Sequence, residues 1–227
     1  MREALSISDL GLIDYEEALD LQRSLREARL DGRAPDTLLL LEHPPTITLG
    51  RRSRPEDLLV PQEQLESQGV HVAEIERGGK ITYHGPGQLV AYPILGLREL
   101  DLSVPRYVST LEQAMIDWLA TLGIEATRRK GFPGVWVNGR KIGAVGVHLK
   151  RWVSIHGIAL NVNPDLGAFQ AIVPCGIDGV EVTSVAAELG GSWSVADAKV
   201  AVAESLRAGL GYARLDWRAG SAVVPTG

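Results

Sequence analysis

The run Thr37-Leu38-Leu39-Leu40-Leu41-Glu42 constrains the fold more than any other segment. Successive side chains of a strand point to opposite faces, so a strand with one wet face alternates apolar and polar residues. Four consecutive leucines do not alternate, and Pro44 and Pro45 close the run at strand length. It reads as a strand buried on both faces.

Short elements of the same kind fill the middle of the chain. Thr46–Leu49, Val70–Ile75, Ile81–Tyr83 and Gln88–Ile94 read as strands. Gly134–Val137 and Ile142–Leu149 flank Asn138-Gly139, the strongest short-range hairpin signal. Trp152–Val162 adds a strand ended by Asn163-Pro164. Helices flank this region along the chain. One opens at Asp14 and Glu17, carries Ala18, Leu21, Leu25 and Ala28 on one stripe, and stops at Gly32. A second is capped by Ser103 and runs over Val104–Leu122, with Leu111, Met115, Trp118 and Leu122 inward. Two more cover Ser184–Leu189 and, after Ser194, Val195–Ala208 before Gly209. The polar segment 51–68 reads as a surface loop, and residues 213–227 as a loose tail. This order predicts an α+β fold, a single domain over residues 1–227 with a mixed or antiparallel sheet flanked by helices, rather than a doubly wound βαβ sheet.

Composition narrows the function. A net charge of −5 gives no global field for nucleic acid, although basic clusters stand at Arg51, Arg52 and Arg54, at Arg128, Arg129 and Lys130, and at Lys150 and Arg151. One cysteine forms no internal disulfide and persists best in a reducing compartment. No segment has signal-peptide or membrane-spanning character, so the expectation is a cytoplasmic protein with no membrane association. The five histidines, at 43, 71, 84, 148 and 156, have no metal-ligand spacing, so neither a metal nor a cofactor is expected.

Three segments spend glycine and polar residues inside apolar strand sequence. Arg77-Gly78-Gly79-Lys80-Ile81-Thr82-Tyr83-His84-Gly85-Pro86-Gly87-Gln88 permits close backbone approach to a ligand. It is no phosphate loop, because Glu74 and Ile81 stand where Gly and Ser or Thr are required. Lys141-Ile142-Gly143-Ala144-Val145-Gly146-Val147 places a lysine just after the hairpin turn, ordinarily a solvent-facing position. The small residues that follow leave room for something to lie against the strand. Ile172-Val173-Pro174-Cys175-Gly176 sets the lone thiol in a loop rather than on an apolar face. A free thiol, with pKa near 8.5, is mostly protonated at neutral pH. A cation within about 4–6 Å would favour the thiolate; Lys141, His84 and His156 are the candidate partners, and spacing does not choose among them.

Together with Leu41-Glu42-His43-Pro44 and His156-Gly157-Ile158-Ala159-Leu160-Asn161, these motifs resemble the lipoyl(octanoyl) transferases, the lipoate-protein ligase B family, over roughly residues 8 to 212. The resemblance implies the lipoate/biotin protein ligase fold and an ATP-independent acyltransferase. It implies transfer of octanoyl from octanoyl-acyl carrier protein to a lysine of lipoyl domains, those of 2-oxoacid dehydrogenase complexes and of the glycine cleavage H protein. By motif match, Cys175 would carry the acyl group as a thioester and Lys141 would lower its pKa and assist proton transfer. Arg77 to His84, Ala144-Val145-Gly146 and Gly157-Ile158-Ala159 would form the acyl site. The basic clusters then become candidate docking patches for an acidic carrier, with Arg128 and Arg129 as the probe. Two rivals predict different behaviour: a ligase of the same fold requires ATP, and a non-catalytic acyl-binding protein tolerates loss of the cysteine.

Overall fold

A computed structural model describes residues 2–174 and 179–218. Eleven strands and five helices occur among them, in the order β1 (Arg2–Leu12), α1 (Tyr15–Leu30), β2 (Thr37–Glu42), β3 (Thr46–Leu49), α2 (Gln62–Ser67), β4 (His71–Glu74), β5 (Ile81–His84), β6 (Gln88–Ile94) and α3 (Val104–Thr121). There follow β7 (Thr127–Arg129), β8 (Phe132–Val137), β9 (Arg140–Lys150), β10 (Val153–Asn161), α4 (Val185–Leu189), α5 (Val195–Leu210) and β11 (Tyr212–Arg218). The large sheet runs β11-β1-β2-β6-β10-β9-β8-β7 and the small one β4-β3-β5. Both are mixed. In the large sheet β1 pairs in parallel with β11 and β2, and the remaining pairs are antiparallel.

The leucine run is β2, third from one edge of the large sheet, and its side chains divide between two cores. Leu38 and Leu40 join Leu111, Met115 and Trp118 of α3 and Val202 and Leu206 of α5, whereas Leu39 and Leu41 pack with Leu25 of α1. All four leucines are fully buried, and each such side chain contributes roughly 1.5–3 kcal/mol. On β10, Ile158 and Leu160 face the α3–α5 layer while Ile155 and Ala159 face the α1 side. A third core beneath the small sheet joins Ile47, Leu65, Ile81, Tyr83, Phe169 and Ile172.

Several local devices act as their sequences require. Asp14 accepts hydrogen bonds from the Glu16 and Glu17 amides and Ser103 from that of Arg106, each covering helix-end donors that would otherwise go unpaired. Asn138 and Gly139 take φ values of 48° and 82°, the left-handed pair that matches strand twist in a two-residue hairpin.

Three expectations need correction. Segment 51–68 is not loop throughout: it holds a 3-10 turn at Pro55–Asp57 and helix α2. The last helix passes Gly209 and ends at Leu210, where Gly211 adopts the left-handed conformation. The tail expected to be loose from residue 213 is strand β11 as far as Arg218, hydrogen-bonded to β1, itself unread in the sequence. Residues 219–227 lie outside the described residues.

Candidate active site

A cavity of about 380 Å³ opens between the large sheet and the loop leading into β5, within the range of small-molecule sites, roughly 300–1,000 Å³. Its floor comes from paired positions of β9 and β10, Ala144 opposite Ala159 and Gly146 opposite Gly157. These four residues carry at most a methyl group, so the floor is flat. The loop Arg77–Lys80 forms the roof, continued by Ile81, Thr82 and His84. Roof and floor meet where the Gly78 amide donates to the Val147 carbonyl at 3.0 Å. A Cβ on Gly146 would lie 3.1 Å from Arg77 Cδ and 3.2 Å from the Gly78 carbonyl, so glycine permits this closure.

The acyl-site residues expected from the sequence thus line one cavity, with one exception. Tyr83 turns its ring into the small-sheet core, edge-on to Phe169 at 5.4 Å between centroids. Gly143, one of the small residues read as leaving room against the strand, also lies outside the wall. It faces α3, where a Cβ would sit 2.6 Å from Met115 Sδ. Arg77 organises the roof. Its Nη1 donates to the Gly78 and Lys80 carbonyls, and its Nη2 to the Thr48 carbonyl and hydroxyl at 2.8 and 2.7 Å.

Lys141 stands at the other end of the cavity from this closure and is not the solvent-facing charge usual beside a hairpin; it is buried. A register shift between Val135 and Trp136 sets it opposite Trp136, and its side chain leans along β8. Its Nζ donates to the Pro133 carbonyl at 2.9 Å and lies 5.2 Å from the Trp136 ring centroid, a contact that attracts a cation. Its main chain is bracketed: the Lys141 amide donates to the Glu181 carbonyl and its carbonyl accepts from the Thr183 amide, both at 2.9 Å. Phe132, more than a third exposed, lines the rim here.

Cys175 lies outside the described residues, and its flanks are tethered. Before it, the Val173 amide donates to the Asp57 carbonyl at 2.8 Å, and Asp57 pairs with Lys80 of the roof at 3.7 Å. After it, residues 181–183 are the stretch bonded to Lys141.

His84 and His156, the two histidines read as candidate partners of the thiol, gather around the inner wall with His43, Tyr15 and Tyr92, to which sequence reasoning assigned no role. The Ile13 carbonyl accepts from His43 Nδ1 at 2.9 Å, so His43 Nε2 accepts the Tyr92 hydroxyl proton at 2.8 Å. Gln88 Nε2 donates to the Tyr83 carbonyl and to Asn161 Oδ1, so its Oε1 accepts from His84 Nδ1 at 2.7 Å. Asn161 Nδ2 donates onward to the Thr183 carbonyl, which links the cavity wall to the segment beside Lys141. His156 takes φ of 58° inside β10, its amide held by Gln22 Oε1 of α1 at 2.7 Å, and its Nε2 is buried with no hydrogen-bond partner. Tyr15 and Tyr92 complete this wall.

Burial dominates the electrostatics of the wall. It pushes His43 down to about 4. His84 falls to about 3, burial acting first and the neighbouring His43 adding to it. Burial likewise takes His156 to about 3 against the opposing pull of Glu76. Near neutral pH the imidazoles of His84 and His156 carry no charge, so neither offers a cation to the cavity. Burial also raises Tyr15 and Tyr92, keeping both as hydroxyl donors. The basic cluster at β7 is mostly engaged: Arg128 binds Glu112, Gln113 and the Ser109 carbonyl, and Arg129 stacks over Phe132 and Trp136 at 4.8 and 5.2 Å. Charge reversal at Arg128 would therefore disturb α3 and is no clean probe of docking.

Among the described residues no group of three potential ligands is arranged for a metal ion, and no helix is long and apolar enough to cross a membrane.

Two sheets closing a glycine-roofed, small-floored cavity with an ammonium at its end define a catalytic domain of the lipoate and biotin ligase fold. The chain belongs to the lipoyl protein ligase A/B catalytic domain family, whose model matches residues 14–207. The octanoyltransferase of Mycobacterium leprae is 49% identical over 221 residues, covering 94% of this chain and 92% of that one. That of Solibacter usitatus is 55% identical over 181 residues, 80% and 82% of the two chains. In fold, the chain resembles a lipoate-protein ligase A bound with ATP (TM-score 0.72, 17% identity, 98% and 90% of the chains). It also resembles the protein Ta0514 of T. acidophilum with bound lipoic acid (TM-score 0.71, 16% identity, 96% and 90%).

Proposed function

We propose that this octanoyltransferase of protein lipoylation carries its acyl group on Cys175, with Lys141 as the cation that favours the thiolate and the residue that handles the proton. The supporting observation is the environment of Lys141: its ammonium stands at the end of an acyl-sized cavity, and its backbone is bonded to residues 181–183, which continue from the Cys175 segment. From the level of Ala144 to that of Val147 the floor runs roughly 10 Å, three residues of strand, a length suited to a medium-chain tail. Burying such a tail contributes about 0.8 kcal/mol per methylene.

Its acceptors are lipoyl-domain proteins. Those of the 2-oxoacid dehydrogenase complexes and the glycine cleavage H protein are the acceptors we infer, octanoyl-acyl carrier protein the donor, and the reducing cytoplasm the setting. Residues 1–227 act as one acyltransferase domain. The Cys175 thiolate attacks the donor's thioester carbonyl; a new C–S bond forms, the carrier's C–S bond breaks, and the Lys141 ammonium gives its proton to the departing carrier thiolate, which leaves Lys141 as the neutral amine. The acceptor lysine's amine then attacks the acyl-enzyme, the Cys175 thiolate departs, and Lys141 takes up the amine's surplus proton. Thioester exchange is nearly isoenergetic and amide formation lies downhill, so no nucleotide is consumed.

Mixing the full-length enzyme with octanoyl-carrier thioester and no ATP should yield a hydroxylamine-labile octanoyl adduct by intact mass, lost in Cys175→Ala. Octanoylation that proceeds only with ATP, or unimpaired in Cys175→Ala, would reject this mechanism.

A further inference from the structure

Glu112 breaks the apolar face of α3, where its neighbours toward the sheet are Leu111, Ala114 and Met115. It is buried, yet its position has a simple geometry. Glu112 Oε1 accepts the Gly134 N–H at 2.8 Å, and Oε2 accepts Arg128 Nε at 3.1 Å. The Gly134 N–H belongs to the same peptide unit as the Pro133 carbonyl, which accepts the Lys141 ammonium at 2.9 Å. A carboxylate on the N–H end of a peptide polarises the carbonyl at its other end and makes it a stronger acceptor. It also stops that peptide from rotating. Gly134 is required at this junction, because a Cβ would lie 2.6 Å from Lys141 Cε and 2.4 Å from the Gly143 carbonyl.

We propose that Glu112 is the positioning residue for Lys141, acting through the Pro133–Gly134 peptide to hold the ammonium at the cavity. Arg128 completes the arrangement by fixing the second carboxylate oxygen. The other charged side chains on α3, β7 and β9 are Arg106 and Asp117 on α3, Arg129 on β7, and Arg140 and Lys150 on β9; Arg140 pairs with Glu188 at 3.0 Å and Lys150 with Glu27 at 2.9 Å, while Glu181 offers its carbonyl to the Lys141 amide. The inference rests on Lys141 acting on Cys175, and the test separates the two claims.

The chain has one cysteine, so the pH dependence of its alkylation by iodoacetamide in the full-length enzyme reports a single thiol. Lys141→Met should raise the apparent thiol pKa by about one unit or more. Glu112→Ala should raise it similarly, and so should Glu112→Asp, which keeps the charge but withdraws the carboxylate from the Gly134 N–H. Glu112→Gln retains an oxygen for that N–H, and its thiol should titrate close to wild type, with Arg128 released to solvent. A tie serving only to pin α3 to β8 would lower the melting temperature and leave the thiol titration unmoved. If Lys141→Met shifts the titration while folded Glu112→Ala and Glu112→Asp do not, Glu112 is no positioning residue; should the alanine variant not fold, the aspartate variant decides. An unshifted Lys141→Met overturns the pairing with Cys175 and this inference with it.

Discussion

Gly134 shows how one residue's lack of a side chain can decide the chemistry of another. Its φ of 129° is one that other residues rarely adopt, and the space beside it is taken by the Lys141 side chain and the Gly143 carbonyl. Gly134→Ala should therefore cost at least about 2 kcal/mol in urea unfolding and lower octanoyl transfer beyond what the loss of folded protein explains. A variant with wild-type stability and rate would show that the space is not needed. Which residues approach the cavity was largely legible, since Arg77 to His84, Lys141 and the β9 and β10 motifs stand out as glycine and charge inside strand sequence. The same motifs hid their exceptions, because a strand's alternation sends Tyr83 and Gly143 to the opposite face from their neighbours. Glu112, Pro133 and Tyr92 carried no local signal; each matters through a contact made across the fold.

Helix α1 shows what an element does for the site. Asp14 caps it, Tyr15 in its first turn lines the cavity, and Gln22 two turns on holds the His156 amide. Asp14→Ala should lower stability by about 1 kcal/mol, read from the urea midpoint at constant slope; no change would mean that water replaces the cap at no cost. Caps, periodicity and the Asn-Gly turn made α1, α3, α5 and the β8–β9 hairpin readable, because those signals act within a few residues. Strands β1 and β11 escaped for the opposite reason. They pair with each other from the two ends of the chain, and the charges of β11 at Arg214, Asp216 and Arg218 disguise a strand at the sheet's edge. Helix α2 is six residues long with one buried anchor, Leu65, too little to register against its prolines.

For the molecule as a whole, the three neutral histidines set the response to acid. His43, His84 and His156 are held at about 4, about 3 and about 3, against 6.5 for the ordinary side chain. The unfolded chain binds protons at these groups below pH 6.5 and the folded chain does not. The stability they supply is therefore complete above 6.5 and is lost as pH falls through the window between 6.5 and their folded values. Near pH 5, unfolding should take up about three more protons than the remaining groups require. The urea midpoint should fall from pH 7 to pH 5, less steeply in His43→Gln, and an equal slope in that variant would contradict the assignment. None of this could be read from the histidines' places in the chain, because burial of side chains far apart in sequence creates it. By itself the amino-acid order determined what depends on near neighbours: the doubly buried leucine strand, the caps and turns, the α+β class, and the motifs that mark the family. Tertiary structure alone decided what depends on distance in space: the closure of roof on floor at Gly78 and Val147, the partners of Lys141, and the neutral histidine wall. Those contacts join residues whose separation along the chain sets no limit on how near they lie once two sheets and their helices have packed.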